Sequence, residues 1–301
     1  MHSRWATRLR LLLAVGCLTF WGAVPAQAGR EVSKTGKASA TGTVEIENIA
    51  GSIVVEGWGR EEISLEGTLG EEVEELRFKT GGKKSRIEVE YPRRVKTIEE
   101  GAHLVIKVPR GSSLEIECVS ATIDVSGVTG RIEAASVSGD VTIEGPCRSV
   151  EAESISGEVN VNGVAEEVQL SSISGRIVAQ GDVARVQAET VSGELDLRYE
   201  RFRELSVETV SGDAEITGDL DPDGTVRLDL HSGDLRLIVP AEVSAEFEIS
   251  SFSGDIDNDF GFKAKRTSKY APGQELEFSV GGGGARVRIN TFSGDVHIRK
   301  Q

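Results

Sequence analysis

The sequence predicts an all-β fold: a single-stranded β-solenoid, a β-helix-like stack with about 18–21 residues and two short strands per coil, closed by β-rich caps at both ends. Three observations predict it. The first is a recurring step, Ser120-Ala121, Ser138-Gly139, Ser156-Gly157, Ser174-Gly175, Ser192-Gly193, Ser211-Gly212, Ser232-Gly233, Ser253-Gly254 and Ser293-Gly294. Its spacing is eighteen residues four times, then nineteen, twenty-one, twenty-one and forty, and a period of this size marks a repeat architecture. The second is apolar alternation on both sides of each step. Val141/Ile143, Val159/Val161, Ile177/Ala179 and Leu195/Leu197 follow the serine by three and five; Ile132/Ala134, Val150/Ala152, Val168/Leu170 and Val186/Ala188 precede it by six and four. Period-two patterning gives each segment one buried face. The third is composition: 35 glycines and 5% aromatics suit turns around a narrow aliphatic core. Two short strands per copy leave no room for helical crossovers, so equivalent strands must stack in parallel about 4.8 Å apart. Eight or nine coils then make a right-handed rod on the order of 40 Å long.

Taken in order, residues 1–28 read as a signal peptide. Arg4, Arg8 and Arg10 precede the run LLLAVGCLTFWGAV, and Ala26-Gln27-Ala28 offers a small-x-small cleavage site after Ala28. Lipoprotein processing at Cys17 is the lesser alternative, because Ala14-Val15-Gly16 is a poor lipobox. Removing the three arginines leaves 31 basic against 49 acidic residues, a formal charge of −18, which disfavours nucleic acid and anionic lipid as partners. Residues 29–117 read as a β-rich N-terminal cap with the first irregular coils. They hold a hairpin turn over Thr80–Lys84 between Leu76-Phe78 and Ile87-Val89-Tyr91, and a degenerate copy at Gly51-Ser52-Ile53. Residues 118–260 are the regular repeats, and residues 261–301 a C-terminal hairpin insertion, turning at Gly281–Gly284, followed by the last coil.

The corner of each coil is written SVSG or a close variant. Cys118, Ser136, Ser154, Ser172, Thr190 and Thr209 fit a column of small inward residues, and glycine relieves crowding at the bend. Ser138, Ser156, Ser174, Ser192 and Ser211 fit a hydroxyl ladder. Val137, Ile155, Ile173, Val191 and Val210, with His231 in the same column, are expected to point inward as well. Phe252 and Phe292 are expected where the coil widens. Cys118 falls at a corner and Cys147 at the far end of the next strand, roughly 23 Å away, too far for a disulfide; two free thiols follow.

Nothing in the chain composes a catalytic constellation, so no catalytic, cofactor-binding or metal residues are assigned. There is no CxxC, HExxH, nucleophile-elbow or Walker pattern, and the run Gly281–Gly284 leads into a strand instead of the helix N-terminus a phosphate cradle needs. His103, His231 and His297 stand apart. The best chemical candidate is the column two residues after the serine, Asp140, Glu158, Arg176, Glu194, Asp213, Asp234, Asp255 and Asp295. A divalent cation between Asp213, Asp234 and Asp255 is conceivable, but solvated turn acids are favoured. Lys263, Lys265, Arg266 and Lys269 form a small basic loop. Hexapeptide-repeat acyltransferases share the eighteen-residue coil but repeat an aliphatic every six, which this chain does not. Polysaccharide-cleaving β-helices carry clustered acids with catalytic Lys or Arg, and no such cluster stands on one flank.

The copies SVSGDVTIEG, SISGEVNVNG and TVSGDAEITG, the segment IENIAGSIVVEGWGREEISLEG and the segment LVIKVPRGSSLEIE together resemble a bacterial exported β-strand-repeat family of uncharacterised function, labelled "putative adhesin" and related to the auto-transporter adhesin head domain. The resemblance covers nearly all of residues 40–300. It implies a cell-envelope location and no catalytic motif. The expectation is a non-enzymatic exported scaffold or adhesin-like interaction protein at the periplasm or cell surface. Its partner is an unknown envelope protein or glycan. The alternative is a carbohydrate-active β-helix enzyme using surface carboxylates.

Overall fold

The structure, a computed structural model, describes residues 29–92, 98, 100–268 and 272–301. The expected signal peptide with its cleavage point at Ala28, Cys17, and Lys269 of the basic loop lie outside the described residues. Among the described residues there are strands and turns and no helix, hence none long and apolar enough to cross a membrane.

The copies stack in parallel and in register. Val150 lies between Ile132 and Val168, and Val159 between Val141 and Ile177. One repeat is therefore one rung. Long strands such as Val159–Ser172 and Ile177–Thr190 bend partway, so their first halves join one ladder and their second halves the facing one. The alternating aliphatics of both ladders meet in a single core, where Val141, Ala152, Val159, Ile177 and Leu197 are wholly buried. Each such Val, Ile or Leu side chain contributes about 1.5–3 kcal/mol. The coil widens at Leu195–Thr209, where the ladder loses register around Arg201 and Glu204. There Tyr199 and Phe202 enter the core edge to face, 5.4 Å apart.

The corners explain the repeated four letters. In Ser136, Ser154, Ser172, Thr190 and Thr209 the hydroxyl is buried and accepts the amide N–H three residues on, at 2.8–2.9 Å. The second hydroxyl faces outward and crosses to the previous rung: Ser138, Ser156, Ser174, Ser192 and Ser211 donate to the carbonyls of Val119, Val137, Ile155, Ile173 and Val191. The ladder thus runs from hydroxyl to backbone, not hydroxyl to hydroxyl. Glycine is required by proximity: a Cβ on Gly157, Gly175 or Gly193 would lie 1.9–2.2 Å from the carbonyl oxygen of the glycine one rung before.

One corner expectation fails. Val137, Ile155, Ile173, Val191 and Val210 point out to solvent, as do Phe252 and Phe292. The in–out alternation that buries Ala152 and Ser154 simply continues, placing Glu153 and Ile155 outside. The phase changes only between Ser156 and Gly157. Phe252 and Phe292 are accordingly not the residues that widen the coil.

At both ends the order of rungs departs from the order of the chain. Thr43–Trp58 is a full rung, in register with Ser113–Ser126 on one side and with Lys84–Glu90 and Ala102–Pro109 on the other. The degenerate copy at Gly51-Ser52-Ile53 is thus a true one. The strands that cap the stack are antiparallel: Glu75–Lys79 returns along Lys84–Glu90 through the expected hairpin, while Glu62–Leu69 adds to Ala102–Pro109 and Arg30–Lys37 to Glu62–Leu69. At the other end Ala285–Ser293 lies between the 225–232 segment and Ala245–Ser253, and Gln274–Val280 pairs antiparallel with Ala245–Ser253 from its outer side. The expected glycine-turn hairpin is therefore absent. The glycines instead carry the chain over the end of Ala245–Ser253 so that its last copy enters one place inside, which accounts for the forty-residue interval. Phe247, Phe260, Phe262 and Phe278 pack together there, with ring centroids 4.6 Å apart for the Phe247–Phe278 pair. They plug the open core.

Candidate functional site

The outward turn of the corner column builds a groove along one side of the rod. Its floor is the buried column Cys118, Ser136, Ser154, Ser172, Thr190, Thr209, Leu230, Thr291 and Ser251. One wall, in spatial order, is Val137, Ile155, Ile173, Val191, Val210, His231, Phe292 and Phe252, and its apolar members are 42–54% exposed. The other wall is Glu117, Ala135, Glu153, Ser171, Glu189, Glu208, Asp229, Asn290 and Ser250. The groove's volume is about 1070 Å³. At one end the rings of His231, Phe292 and Phe252 stack on one another nearly parallel, 5.0 and 4.8 Å apart. Sequence reasoning missed this site because it assigned the aliphatic column to the core; unbroken alternation from Ala152 to Ile155 was the signal available.

Backbone groups in the groove are already used. The amides of Ile155, Ile173 and Val191 donate to the carbonyls of Ser136, Ser154 and Ser172, and the next amides donate likewise to Val137, Ile155 and Ile173. Whatever binds here meets side chains. Among the described residues, none of Glu117, Glu153, Glu189, Glu208 or Asp229 stands in an ion pair and no Lys or Arg lines the groove.

The acid column two residues after the serine lies elsewhere and does structural work. Asp140 accepts the Glu158 amide, Asp213 the Asp234 amide, Asp234 the Asp295 amide and Asp295 the Asp255 amide, at 2.8–2.9 Å. Asp295 stands between Asp234 and Asp255, so the Asp213, Asp234, Asp255 trio is not a set of adjacent rungs. Among the described residues no group of three or more His, Cys, Asp or Glu could hold a metal ion. Arg176 bridges to Glu194 and to the buried Asp196. His103 meets the Ser52 hydroxyl, and His297 meets Arg299. Both thiols are free. Burial pushes Cys118 up to about 12 and Cys147 up to about 11, which leaves little thiolate at neutral pH.

A family model of the Toastrack DUF4097 domain matches residues 43–299. The chain belongs to the Toastrack DUF4097 family. The match spans both displaced end rungs and every coil that forms the groove, so the groove is a feature of the Toastrack domain in this chain and not of an appended segment. No curated protein matches this Toastrack chain in sequence. Solved structures do. A "Putative lipid binding protein" from Parabacteroides distasonis superposes with a TM-score of 0.56 at 14% identity, over 90% of this chain and 98% of that one. A "putative adhesin" from Bacteroides fragilis gives 0.46 at 8% identity over 89% and 97%, and another from Parabacteroides merdae 0.46 at 12% over 90% and 97%. At these identities the likeness concerns the Toastrack fold alone.

Proposed function

We propose that the protein is a non-enzymatic, exported interaction protein of the cell envelope, and that the groove is its working surface toward an envelope protein or glycan. The observation that carries this reading is the unpartnered column of Val, Ile and Phe held open on a rigid stack, since a soluble chain rarely leaves so long an apolar row uncovered without a binding role. Arg4, Arg8 and Arg10 before the apolar run of residues 11–24 support export to the periplasm or cell surface. Among the described residues, the groove's side chains supply no paired nucleophile and base, which supports binding over turnover.

The test is cross-linked affinity capture of the tagged chain from its native envelope, run beside an Ile155→Asp/Ile173→Asp variant whose fold is checked by circular dichroism. Loss of a captured partner in the variant is expected. Identical capture by both proteins overturns the groove as the working surface, and turnover of an envelope glycan by the purified protein overturns the non-enzymatic part.

A further inference from the structure

We propose that the groove binds an extended polypeptide segment in which basic side chains alternate with aliphatic ones, an inference that rests on the interaction role above and names its partner class. Charge is the first argument. Glu117, Glu153, Glu189, Glu208 and Asp229 stand along one wall, and among the described residues no Lys or Arg lines the groove and none of the five is neutralised by an ion pair. A cationic occupant gains from every one of them, whereas an anionic lipid headgroup, a nucleic acid or an acidic peptide is repelled. The opposite wall, from Val137 to Val210, then takes the apolar side chains of the same segment.

Length is the second argument. Nine rungs about 4.8 Å apart give a groove roughly 40 Å long, which an extended segment of about 13 residues follows at about 3.1 Å per residue. Spacing agrees, because Glu117, Glu153 and Glu189 are two rungs apart, about 9.6 Å, and a polyproline II segment returns a side chain to one face every three residues, about 9.3 Å. A basic residue at every third position therefore keeps step with the carboxylates.

The competing occupants lack a handle. Strand addition is closed off, since the corner amides are spent on the neighbouring rung. A sugar ring needs an open aromatic face, yet both faces of Phe292 are covered, by His231 on one side and Phe252 on the other.

The probe is fluorescein-labelled (Lys-Val-Pro)5, followed by anisotropy against the chain from Gly29 onward. Saturable binding is expected, weakening at least tenfold between 25 and 300 mM salt. It should weaken at least tenfold in Glu153→Gln/Glu189→Gln/Glu208→Gln and, separately, in Ile155→Ser/Ile173→Ser, both surface variants with unchanged circular dichroism. (Glu-Val-Pro)5 and (Lys-Ser-Pro)5 should each bind at least tenfold more weakly. Absence of saturable binding, indifference to both variants, equal binding of (Lys-Ser-Pro)5, or a sedimentation result in which a second copy already covers the groove overturns the inference. If capture from the envelope stays groove-dependent while the peptide fails to bind, this inference falls and the interaction role stands; if both fail, both fall.

Discussion

Between residues 131 and 209 the order of rungs in space is the order of copies in the chain, whereas at each end of the rod one copy is set a place inside its sequence neighbour. In the middle every strand finds its partners about eighteen residues away. At the ends Ala285–Ser293 joins the 225–232 segment, about sixty residues back. The difference shows two ways of ending a parallel stack. Repetition alone would leave a regular strand as the outermost edge, ready to recruit another chain. Here the regular copies at the extremes are held on both sides, and the edges fall to irregular antiparallel strands such as Glu75–Lys79, whose Arg77 is tied to Glu90 and Glu75, and to the three-residue Ile256–Asn258.

The sharpest way to break this comparison is to remove residues 285–301. That truncation takes away the rung shared by the 225–232 segment and Ala245–Ser253, and hydrogen exchange should show protection lost throughout 225–280 and retained in 131–209. Loss confined to the last strand would mean the inserted rung is not holding the end together. Next comes Gly175→Ala. Its Cβ would lie 1.9 Å from the Gly157 carbonyl oxygen, so a cost of about 4 kcal/mol in denaturant unfolding is expected, against less than about 0.5 for Gly59→Ala at the irregular end, where nothing lies within 4 Å. Ser172→Ala, which orphans the Gly175 amide, should cost about 1–2 kcal/mol and lower Tm by about 3 °C.

The smallest effect concerns pH. Desolvation, then Glu144 and Asp140, raise the Asp124 carboxyl above its ordinary value. A raised carboxylate favours the protonated native state, so its stabilisation is present at acidic pH and lost as pH rises through the folded value. Asp124→Asn should raise Tm by about 1 °C at pH 7 and by nothing at pH 3. A gain of the same size at both values would show that charge is not the cause.

The parallel register was legible because repeat length and period-two alternation fix the same rows independently, as Val150 over Val168 and Val159 over Ile177 show. The free thiols followed from that register. The groove was misread for a physical reason: Ile155 is apolar, and hydrophobicity was allowed to outweigh the alternation that Ala152, Glu153 and Ser154 had already established. The displaced ends were barely legible. Copies with interchangeable patterns can pair in any order, and only the forty-residue interval before Ser293 hinted that the last one sits elsewhere.

A growing chain emerges N-terminus first, and the inserted final copy gives that direction a meaning. Residues 245–258 have no permanent neighbour on their inner side until residues 285–298 have been made. The far third of the molecule consequently waits, half assembled, for residues 285–298, which act as the latch that closes that end of the rod.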